Sequence, residues 1–395
     1  MRILAIETSC DETAAAVLEG RDQVLSSRIA SQVDVHRLYG GVVPELASRC
    51  HIETIEGIVR LALDEAGAPL PSIEAVAVTR GPGLIGSLLV GVSFARALAW
   101  GLGKPVVGVN HLEGHIRAAF IENPDIAFPA VALVVSGGHT ALYHMAEEGA
   151  YRLVAKTRDD AAGEAYDKVG KLLGLGYPGG PVIDRLAPAG DEMRVAFPSP
   201  RMSDGSLDFS FSGLKTAALR WAQAEGLASD WRRHDGAHGA DPTADAQTGS
   251  AGADLSRLPV GGPAAAASGS GAAAAVAEGP GAPVRDLCAS FQRAAVAQLV
   301  ERTIAAARRE NARSVILSGG VACNTRLRAD LRAACARDGF AFFMPSPKYC
   351  TDNAAMIGAA GRLQLEAGLP PAPPLDADPI LRLGDEPRRR STRHR

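Results

Sequence analysis

The sequence lacks the features that mark disulfide-stapled, membrane-spanning and nucleic-acid-coating proteins. Its six cysteines are scattered with no C-x-x-C pair, which predicts neither a zinc ribbon nor a disulfide framework and favours reduced thiols in the cytoplasm. No stretch reaches the roughly 20 apolar residues needed to span a bilayer, and the first residues show no signal-peptide pattern. The net charge of −3 excludes a uniformly basic coat that binds nucleic acid non-specifically.

The composition is that of a globular chain with two lobes. The 395 residues are 47% hydrophobic and 22% charged, and the mean hydropathy is +0.04, which excludes a mostly disordered or fibrous protein. At this length a single core has stopped growing, so two lobes around a cleft are expected. We predict a first α/β lobe over residues 1–125, a second over 126–350, a helix over 351–370 that closes the cleft, and a flexible basic tail over 371–395.

One stretch of the second lobe differs from the rest of the chain. Between about residues 228 and 283, Ala, Gly, Ser, Pro and Asp dominate and large apolar residues are almost absent. Such a stretch buries too little apolar surface to offset its ordering entropy, so a disordered insertion is predicted. The Arg-rich end at residues 387–395 is either a mobile extension or a grip for RNA phosphates.

Apolar periodicity predicts alternating strands and helices in both lobes. The first lobe opens with a hairpin, and a strand at 106–109 leads into a helix that runs from 111 to about 121. Asn110 is suited to cap this helix. The second lobe begins with a β-branched strand at 130–135, and after the insertion a helix is expected from about 286 to 309.

Three of the predicted strands end in turns that favour anion binding. The first strand is followed by TSCD at residues 8–11, and two others end in Ser-Gly-Gly, at residues 136–138 and 318–320. Glycines let backbone N–H groups approach an oxyanion because no Cβ intervenes. The alternative, that these glycines only make tight turns, stays open.

His111 and His115 form the strongest candidate metal site. Spaced four apart on a helix, they project from the same face, and both imidazoles can reach one ion. Chance spacing of two ordinary histidines is the alternative. The pair differs from the HExxH helix of metallopeptidases, because Leu112 occupies the place of the glutamate and Glu113 is expected to point away from the ion.

A further polar cluster carries the carboxylates of Asp167 and Asp184 near a Gly-Gly turn at residues 179–180. Ionised carboxylates only accept hydrogen bonds, which suits them to the hydroxyls of a sugar. They can equally complement the dipole at the start of a helix. The residues alone leave that choice open.

Taken in chain order, these motifs resemble the TsaD family, also called YgjD or Gcp. The Ala/Gly-rich insertion and the Arg-rich end depart from the family's usual pattern. The matching segments cover nearly all of the remaining chain: IETSCDET at 6–13, YGGVVPELASR at 39–49, GPGL at 81–84, HLEGH at 111–115, VSGGHT at 135–140, DDAAGEAYDK at 159–168, YPGGP at 177–181, DFSFSGLKT at 208–216, SGGVACN at 318–324 and CTDNAAM at 350–356.

The resemblance implies a two-lobed α/β fold of the actin, sugar kinase and Hsp70 (ASKHA) type. It implies an acyltransferase that moves the threonylcarbamoyl group of threonylcarbamoyl-adenylate to N6 of the adenosine 3′ of the anticodon, in tRNAs that read ANN codons, with AMP as leaving group. It also implies two bacterial helper proteins, a TsaB-like paralogue and a TsaE-like P-loop ATPase, and no membrane partner. A metalloendopeptidase and a stand-alone ATPase or sugar kinase are the alternatives, because a fold alone does not fix function.

The resemblance also implies site residues. It places one divalent metal ion per subunit on His111, His115 and Asp352, and the family alone singles out Asp352. The expected metal is iron, although imidazole and carboxylate ligands also suit zinc. No residue presents itself as a catalytic base. The implied substrate contacts are Val134, Val135, Ser136, Gly137, Gly138, Asp167, Gly180, Asp184 and Asn324.

Overall fold

The chain folds into two β-sheets flanked by helices. The structure is a computed structural model that describes residues 1–20, 23–199, 202–227, 260–261, 280–368 and 375–384. Its strands are β1 Arg2–Glu7, β2 Glu12–Glu19, β3 Gln23–Ser31, β4 Ala75–Gly81, β5 Val106–Asn110, β6 Ala130–Val135, β7 Thr140–Met145, β8 Tyr151–Lys156, β9 Val260–Gly261, β10 Ser314–Ser318 and β11 Ala341–Phe343.

The helices alternate with these strands as the periodicity predicts. Within the described residues the α-helices are α1 Val33–Arg37, α2 Pro44–Glu65, α3 Ile85–Leu102, α4 His111–Glu122, α5 Ala162–Leu172, α6 Gly179–Leu186, α7 Ser212–Ala224, α8 Ala282–Arg309, α9 Thr325–Asp338, α10 Pro347–Cys350 and α11 Ala354–Glu366. The same described residues form 3-10 turns at Leu70–Ser72, Ala187–Ala189 and Gly320–Cys323.

Apart from β9, the two sheets have the same strand topology. Their strand orders are β5-β4-β1-β2-β3-β9 and β11-β10-β6-β7-β8. In each sheet three consecutive strands form an antiparallel meander, and two later strands join in parallel on the other side of the first. Parallel neighbours end at the same sheet edge, so the turns that follow β6 and β10 lie side by side.

The two Ser-Gly-Gly turns are in direct contact at this edge. Gly319 has φ +92°, and a Cβ there would stand 2.3 Å from the carbonyl oxygen of Val135. Only glycine combines this left-handed backbone with so close an approach. The glycine of the second turn therefore brings the two strand ends together.

Helix α4 lies between the two sheets. Leu112 and Ile116 belong to an apolar cluster with strands of the second sheet, whereas Ala118 and Ile121 belong to a cluster with the first sheet and α11. Every residue of α4 from His111 to Ile121 is buried. Because α4 contacts both lobes, the predicted lobe boundary at residue 125 falls just after their shared helix, and the proposed domain limits stay a prediction.

Residues 375–384 pack against both lobes, which differs from the flexible tail predicted from residue 371 onward. Leu375 is buried among side chains of the first sheet, α2 and α3, and Leu383 is buried against the second sheet. Between them the amide of Asp378 donates a hydrogen bond of 2.7 Å to the Arg80 carbonyl. The prediction is wrong for this segment because Leu375 and Leu383 anchor it among buried side chains of the two lobes.

Two further elements differ from the sequence prediction. Strand β3 was not predicted, and it pairs antiparallel with β2. Helix α8 begins at Ala282 with Pro283 in its first turn, a position that suits proline, so residues 282–283 are helical instead of disordered.

The rest of the predicted insertion lies outside the described residues, apart from β9 and residues 280–281. The Arg-rich end lies wholly outside them.

Helix α3 is, within the described residues, the one helix long and apolar enough to cross a membrane by length and composition. Its Val92, Ala95 and Ala99 are buried against the first sheet. The core helix of a soluble protein passes the same test, so this observation is weak evidence for a span.

Leu383→Ala is expected to lower the free energy of unfolding by about 2 kcal/mol, because it removes buried apolar surface and leaves a cavity. Ile380→Ala is the matched control, since Ile380 is 81% exposed and should change stability by less than about 0.5 kcal/mol. Urea denaturation of both variants measures the difference. Equal effects would contradict the docking of this segment.

Candidate metal centre and adjoining turns

His111, His115 and Asp352 converge on one point between the lobes. Their ligand atoms lie within 4.8 Å of one another. Asp352 Oδ1 is 3.2 Å from His115 Nε2 and 3.6 Å from His111 Nε2. Both imidazoles are buried, and the rings meet edge to face with centroids 4.7 Å apart. The sequence predicted the histidine pair, and the structure brings Asp352 to it.

Local sequence fixes where this pair lies. Asn110 caps α4 as predicted, because its side chain accepts hydrogen bonds from the amides of Leu112 and Glu113. The helix therefore begins at His111. Gly114 lets α4 approach α11 closely, since a Cβ there would stand 2.8 Å from Ile357 Cδ1.

Glu7 orients His111, and sequence reasoning missed this role. Its carboxylate is buried, and Oε2 lies 3.1 Å from His111 Nδ1 and accepts a 2.6 Å hydrogen bond from the Thr79 hydroxyl. The Ser9 amide donates to the other oxygen, Oε1, at 2.5 Å. With Nδ1–H held by Glu7, Nε2 of His111 faces Asp352, which is the ligand arrangement that outer carboxylates enforce at metal sites.

The charges of Glu7, His111 and Asp352 stabilise one another. Burial raises the pKa of the Glu7 carboxyl, but His111 outweighs it and the net pKa is lowered. Burial lowers the pKa of His111, yet Asp352 and Glu7 together raise it to about 9. Burial likewise raises the pKa of Asp352, and His111 and His115 bring it far below its usual value. A divalent ion has to displace the proton from His111 Nε2.

The residues present fit a divalent ion. His115 is fully buried, and within the described residues the Asp352 carboxylate, 3.2 Å from Nε2, is the polar group that its ring meets. A buried polar atom without good hydrogen bonds is costly, and coordination through Nε2 would engage this nitrogen and the carboxylate together. Two imidazoles and one carboxylate suit iron and zinc and leave coordination positions open.

Glu113 faces away from the centre, as the helical spacing predicts. Its Oε2 accepts a 3.1 Å hydrogen bond from Gln364 of α11. A metallopeptidase needs a glutamate beside the ion as general base. Glu113 is therefore engaged elsewhere, and the peptidase alternative keeps the histidine pair but lacks a glutamate base on this helix.

The turn after β6 adjoins the metal ligands. The Ser136 amide donates to the His139 carbonyl at 2.8 Å, and the His139 ring centroid lies 6.5 Å from that of His111. Burial and the two neighbouring histidines lower the pKa of His139 to about 4. Gly137 and Gly138 are exposed, and nothing lies within 4 Å of where their Cβ atoms would be. A ligand can thus reach this backbone directly.

Val134 and Val135 are the predicted contacts with least access. Both are fully buried, one in the apolar cluster on each face of the second sheet. Their side chains have no surface to offer a substrate. The contact implied for this segment can therefore come from backbone atoms alone, beginning at Ser136.

Asp184 and Asn324 are joined through Gln292, which the sequence did not single out. Gln292 Nε2 donates to Asp184 Oδ1 at 3.2 Å, and Asn324 Nδ2 donates to Gln292 Oε1 at 3.1 Å. Asp184 also accepts from the amide and hydroxyl of Thr325. Asn324 in turn caps α9 by accepting from the Leu327 amide. These side chains form one connected polar group.

Asp167 and Gly180 are placed together in the second lobe. The Gly179 amide donates a 2.8 Å hydrogen bond to Asp167 Oδ1, and Gly180 also hydrogen-bonds to this carboxylate. Burial raises the pKa of Tyr177, and Asp11 of the first lobe raises it further, ahead of Asp167. Since the turn after β1 carries the Asp11 carboxylate, it needs a cation nearby to hold an anion.

Comparisons with known proteins identify the family. The family model described as TsaD, tRNA N6-adenosine threonylcarbamoyltransferase, matches residues 23–359. The chain belongs to the TsaD family. A protein of that name from Symbiobacterium thermophilum is 48% identical over 97% of this chain and 97% of its own length. One from Anaeromyxobacter dehalogenans (strain 2CP-C) is 48% identical over 97% of this chain and 99% of its own length.

Membership of the TsaD family makes this chain an acyltransferase of tRNA modification. The solved structure of full-length HypF resembles it with a TM-score of 0.52 at 12% identity, over 92% of this chain and 46% of HypF. That likeness concerns the fold alone and agrees with the two-lobed ASKHA architecture predicted from the motifs. Family and triad together support a divalent metal site.

Glu7→Gln is expected to weaken divalent-metal affinity by roughly 10- to 100-fold, because the amide has only one acceptor oxygen and cannot accept both from the Ser9 amide and from Thr79 and His111. Glu113→Gln is the matched control: it lies on the helix of the histidines but contacts Gln364, and it should retain the affinity. Competition with a chelating dye measures both. Equal affinities in folded Glu7→Gln and the unaltered protein would refute the orienting role.

Proposed function

We propose that this chain transfers the threonylcarbamoyl group from threonylcarbamoyl-adenylate to N6 of the adenosine 3′ of the anticodon, in tRNAs that read ANN codons. The N6 amine attacks the carbamoyl carbonyl carbon, the bond from that carbon to the phosphate oxygen breaks, and AMP leaves as one amine proton is lost. The observation that carries the proposal is the pairing of a two-histidine, one-carboxylate centre with an accessible glycine turn. Family membership favours the same reaction.

One end of the cleft would bind the reacting carbamoyl and phosphate groups, and the other end would bind the nucleoside. His111, His115 and Asp352 would hold the ion, which we expect to be Fe²⁺, with Zn²⁺ as the alternative. Such an ion supplies Lewis acidity toward the carbamoyl carbonyl or the phosphate. Gly137 and Gly138 offer backbone N–H groups toward the developing oxyanion, where no side chain obstructs the approach, and Ser136 holds the turn by donating its own amide to the His139 carbonyl.

The other end of the cleft suits the nucleoside part of the donor. The Asp184 carboxylate already accepts from Gln292 and Thr325, and an ionised carboxylate has room for a further donor such as a ribose hydroxyl. Asp167 with Gly180 and the Asn324 segment would complete this end. No side chain is assigned as base, because the mixed anhydride is activated and positioning can supply most of the rate.

Partner proteins are part of the proposal. We expect a TsaB-like paralogue and a TsaE-like P-loop ATPase to act with this chain in the cytoplasm, where its tRNA substrate is modified. Helix α3 exposes Ile85, Leu89 and Trp100 while its opposite side packs on the first sheet. Exposed apolar side chains of this size favour a protein contact.

His111→Ala and Asp352→Ala are expected to abolish tRNA modification, because each removes a proposed metal ligand. The assay combines the purified chain, threonylcarbamoyl-adenylate, an unmodified ANN-reading tRNA and the candidate partners, and scores the nucleoside by chromatography and mass spectrometry. Glu113→Gln serves as the active control. Absence of product with folded, metal-loaded protein and competent partners would refute the proposal.

Gly138→Ala is expected to raise the KM for the adenylate by roughly tenfold without lowering the melting temperature. The new methyl group has no protein atom within 4 Å, so it strains nothing but occupies the path of the substrate toward the turn. Gly101→Ala in α3 adds a methyl group to equally open space away from the turn. If both variants keep the original KM, the turn does not contact the adenylate.

A further inference from the structure

A chain of hydrogen bonds inside the second lobe ends on Asp184. The Leu327 amide donates to Asn324 Oδ1 at 2.9 Å, and Asn324 Nδ2 donates to Gln292 Oε1 at 3.1 Å. Gln292 Nε2 then donates to Asp184 Oδ1 at 3.2 Å. Because Gln292 is only 3% exposed, a buried side chain of α8 connects the start of α9 to α6.

The direction of these hydrogen bonds is fixed at the Leu327 end. A backbone amide can only donate, so Asn324 must turn its oxygen toward Leu327 and its NH₂ group toward Gln292. Gln292 must then accept through Oε1, which leaves Nε2 as the group that faces Asp184. The backbone of α9 therefore determines that Asp184 meets a donor on its buried side.

The Asp184 carboxylate is held by neutral donors. The Thr325 hydroxyl donates to Oδ1 at 2.8 Å, and the Thr325 amide donates to Oδ2 at 3.0 Å. The neighbouring guanidinium of Arg326 pairs with two other carboxylates. An ionised carboxylate has about four acceptor positions. Gln292 and Thr325 fill both positions of Oδ1 and one of Oδ2, so the open position lies on Oδ2 of this partly exposed side chain.

We propose that Gln292 is a positioning residue through which Asp184 selects a ribonucleotide over its deoxy analogues. With Gln292 fixed on Oδ1, the open position of Oδ2 receives one ribose hydroxyl. A deoxyribose without this hydroxyl leaves the position unfilled, and a site built to hydrogen-bond a hydroxyl rejects the analogue that lacks it. The inference rests on the proposed function, which places the nucleoside at Asp184.

Gln292 and Thr325 hold the carboxylate from opposite sides. Thr325 is exposed, whereas Gln292 is buried. Without Gln292, Oδ1 has a second open position, and the carboxylate is free to turn toward water. A ribose hydroxyl then gains no partner of fixed orientation, because a binding group discriminates only when the residues behind it hold its position.

Gln298 offers a matched control on the same helix. It is 5% exposed, its Nε2 donates to the Ser210 carbonyl at 3.0 Å, and its Oε1 accepts from the Ser210 amide at 2.8 Å. Gln292→Met and Gln298→Met thus each remove two hydrogen bonds of one buried glutamine in α8. Only Gln292→Met removes a hydrogen bond to Asp184.

Nucleotide binding to the full-length protein tests the inference. Isothermal titration calorimetry measures the dissociation constants of AMP, 2′-deoxy-AMP and 3′-deoxy-AMP. The unaltered protein and Gln298→Met should bind AMP at least about tenfold more tightly than one of the deoxy nucleotides, and Gln292→Met should reduce this ratio to less than about twofold. An undiminished ratio in folded Gln292→Met would overturn the inference, as would equal affinity of the unaltered protein for all three nucleotides.

Gln292→Glu separates the donor role from a structural one, and it also serves if Gln292→Met does not fold. It keeps the size of the side chain and an oxygen for Asn324, but its carboxyl donates to Asp184 only while protonated. Contact between two carboxyl groups raises the pKa of one of them. The ratio of the deoxy-AMP and AMP dissociation constants should therefore rise by about fivefold or more from about pH 8.5 to pH 6 in this variant and stay constant in the unaltered protein. A ratio in the variant that does not change with pH would refute the donor role.

Transferase kinetics separate the inference from the proposed function. Gln292→Met should raise the KM for threonylcarbamoyl-adenylate by roughly tenfold and keep kcat within about twofold, because the ribose contact is the same before and during the transfer. A loss confined to kcat would overturn the positioning role at the nucleoside. Lack of transfer by an unaltered protein that still selects AMP over its deoxy analogues would instead count against the proposed function and leave the role of Gln292 standing.

Discussion

The buried carboxylate of Glu7 is the point at which the first lobe and the candidate metal centre meet. It ends β1, accepts from Thr79 at the end of β4, and holds His111 at the start of α4. A buried negative charge is tolerated only where donors surround it, so these three elements must stay in register. Glu7 and the Ser9 hydroxyl, each 3.1 Å from His111 Nδ1, together orient His111 and so set the position at which Asp352 and His115 can share an ion.

The centre also depends on how the lobes are held. Helix α4 is buried by both sheets, and residues 375–384 contact both through Leu375 and Leu383. A site whose ligands sit on such a shared helix keeps its geometry only while the lobes keep theirs. The turns after β6 and β10 add to this frame, because the backbone at Gly319 rests on the Val135 carbonyl.

The sequence predicted those parts of the molecule that depend on local spacing. Helical periodicity and the Asn110 cap located His111 and His115, and the rotation per residue placed Glu113 away from the ion. Asp352 came from family resemblance, since no local pattern links it to a helix far away in the chain. Glu7 and Gln292 were missed because their roles arise from packing, and neither has a spacing that marks it. Leu375 and Leu383 were missed because they lie in a short segment outside any helix or strand, and their burial arises from packing on the two lobes.

The absence of a side chain at Gly114 allows helices α4 and α11 to approach each other closely. Helices α4 and α11 touch there, with Ile357 in the space that a methyl group would fill. The imidazoles belong to one helix, and Asp352 lies just before the other. The distance between the two helices therefore contributes to the distance between Asp352 and the two imidazoles. Metal–ligand bond lengths tolerate deviations of only about 0.2 Å. The distance between the two helices at Gly114, a residue that does not contact the ion, therefore influences which size of ion the centre accepts.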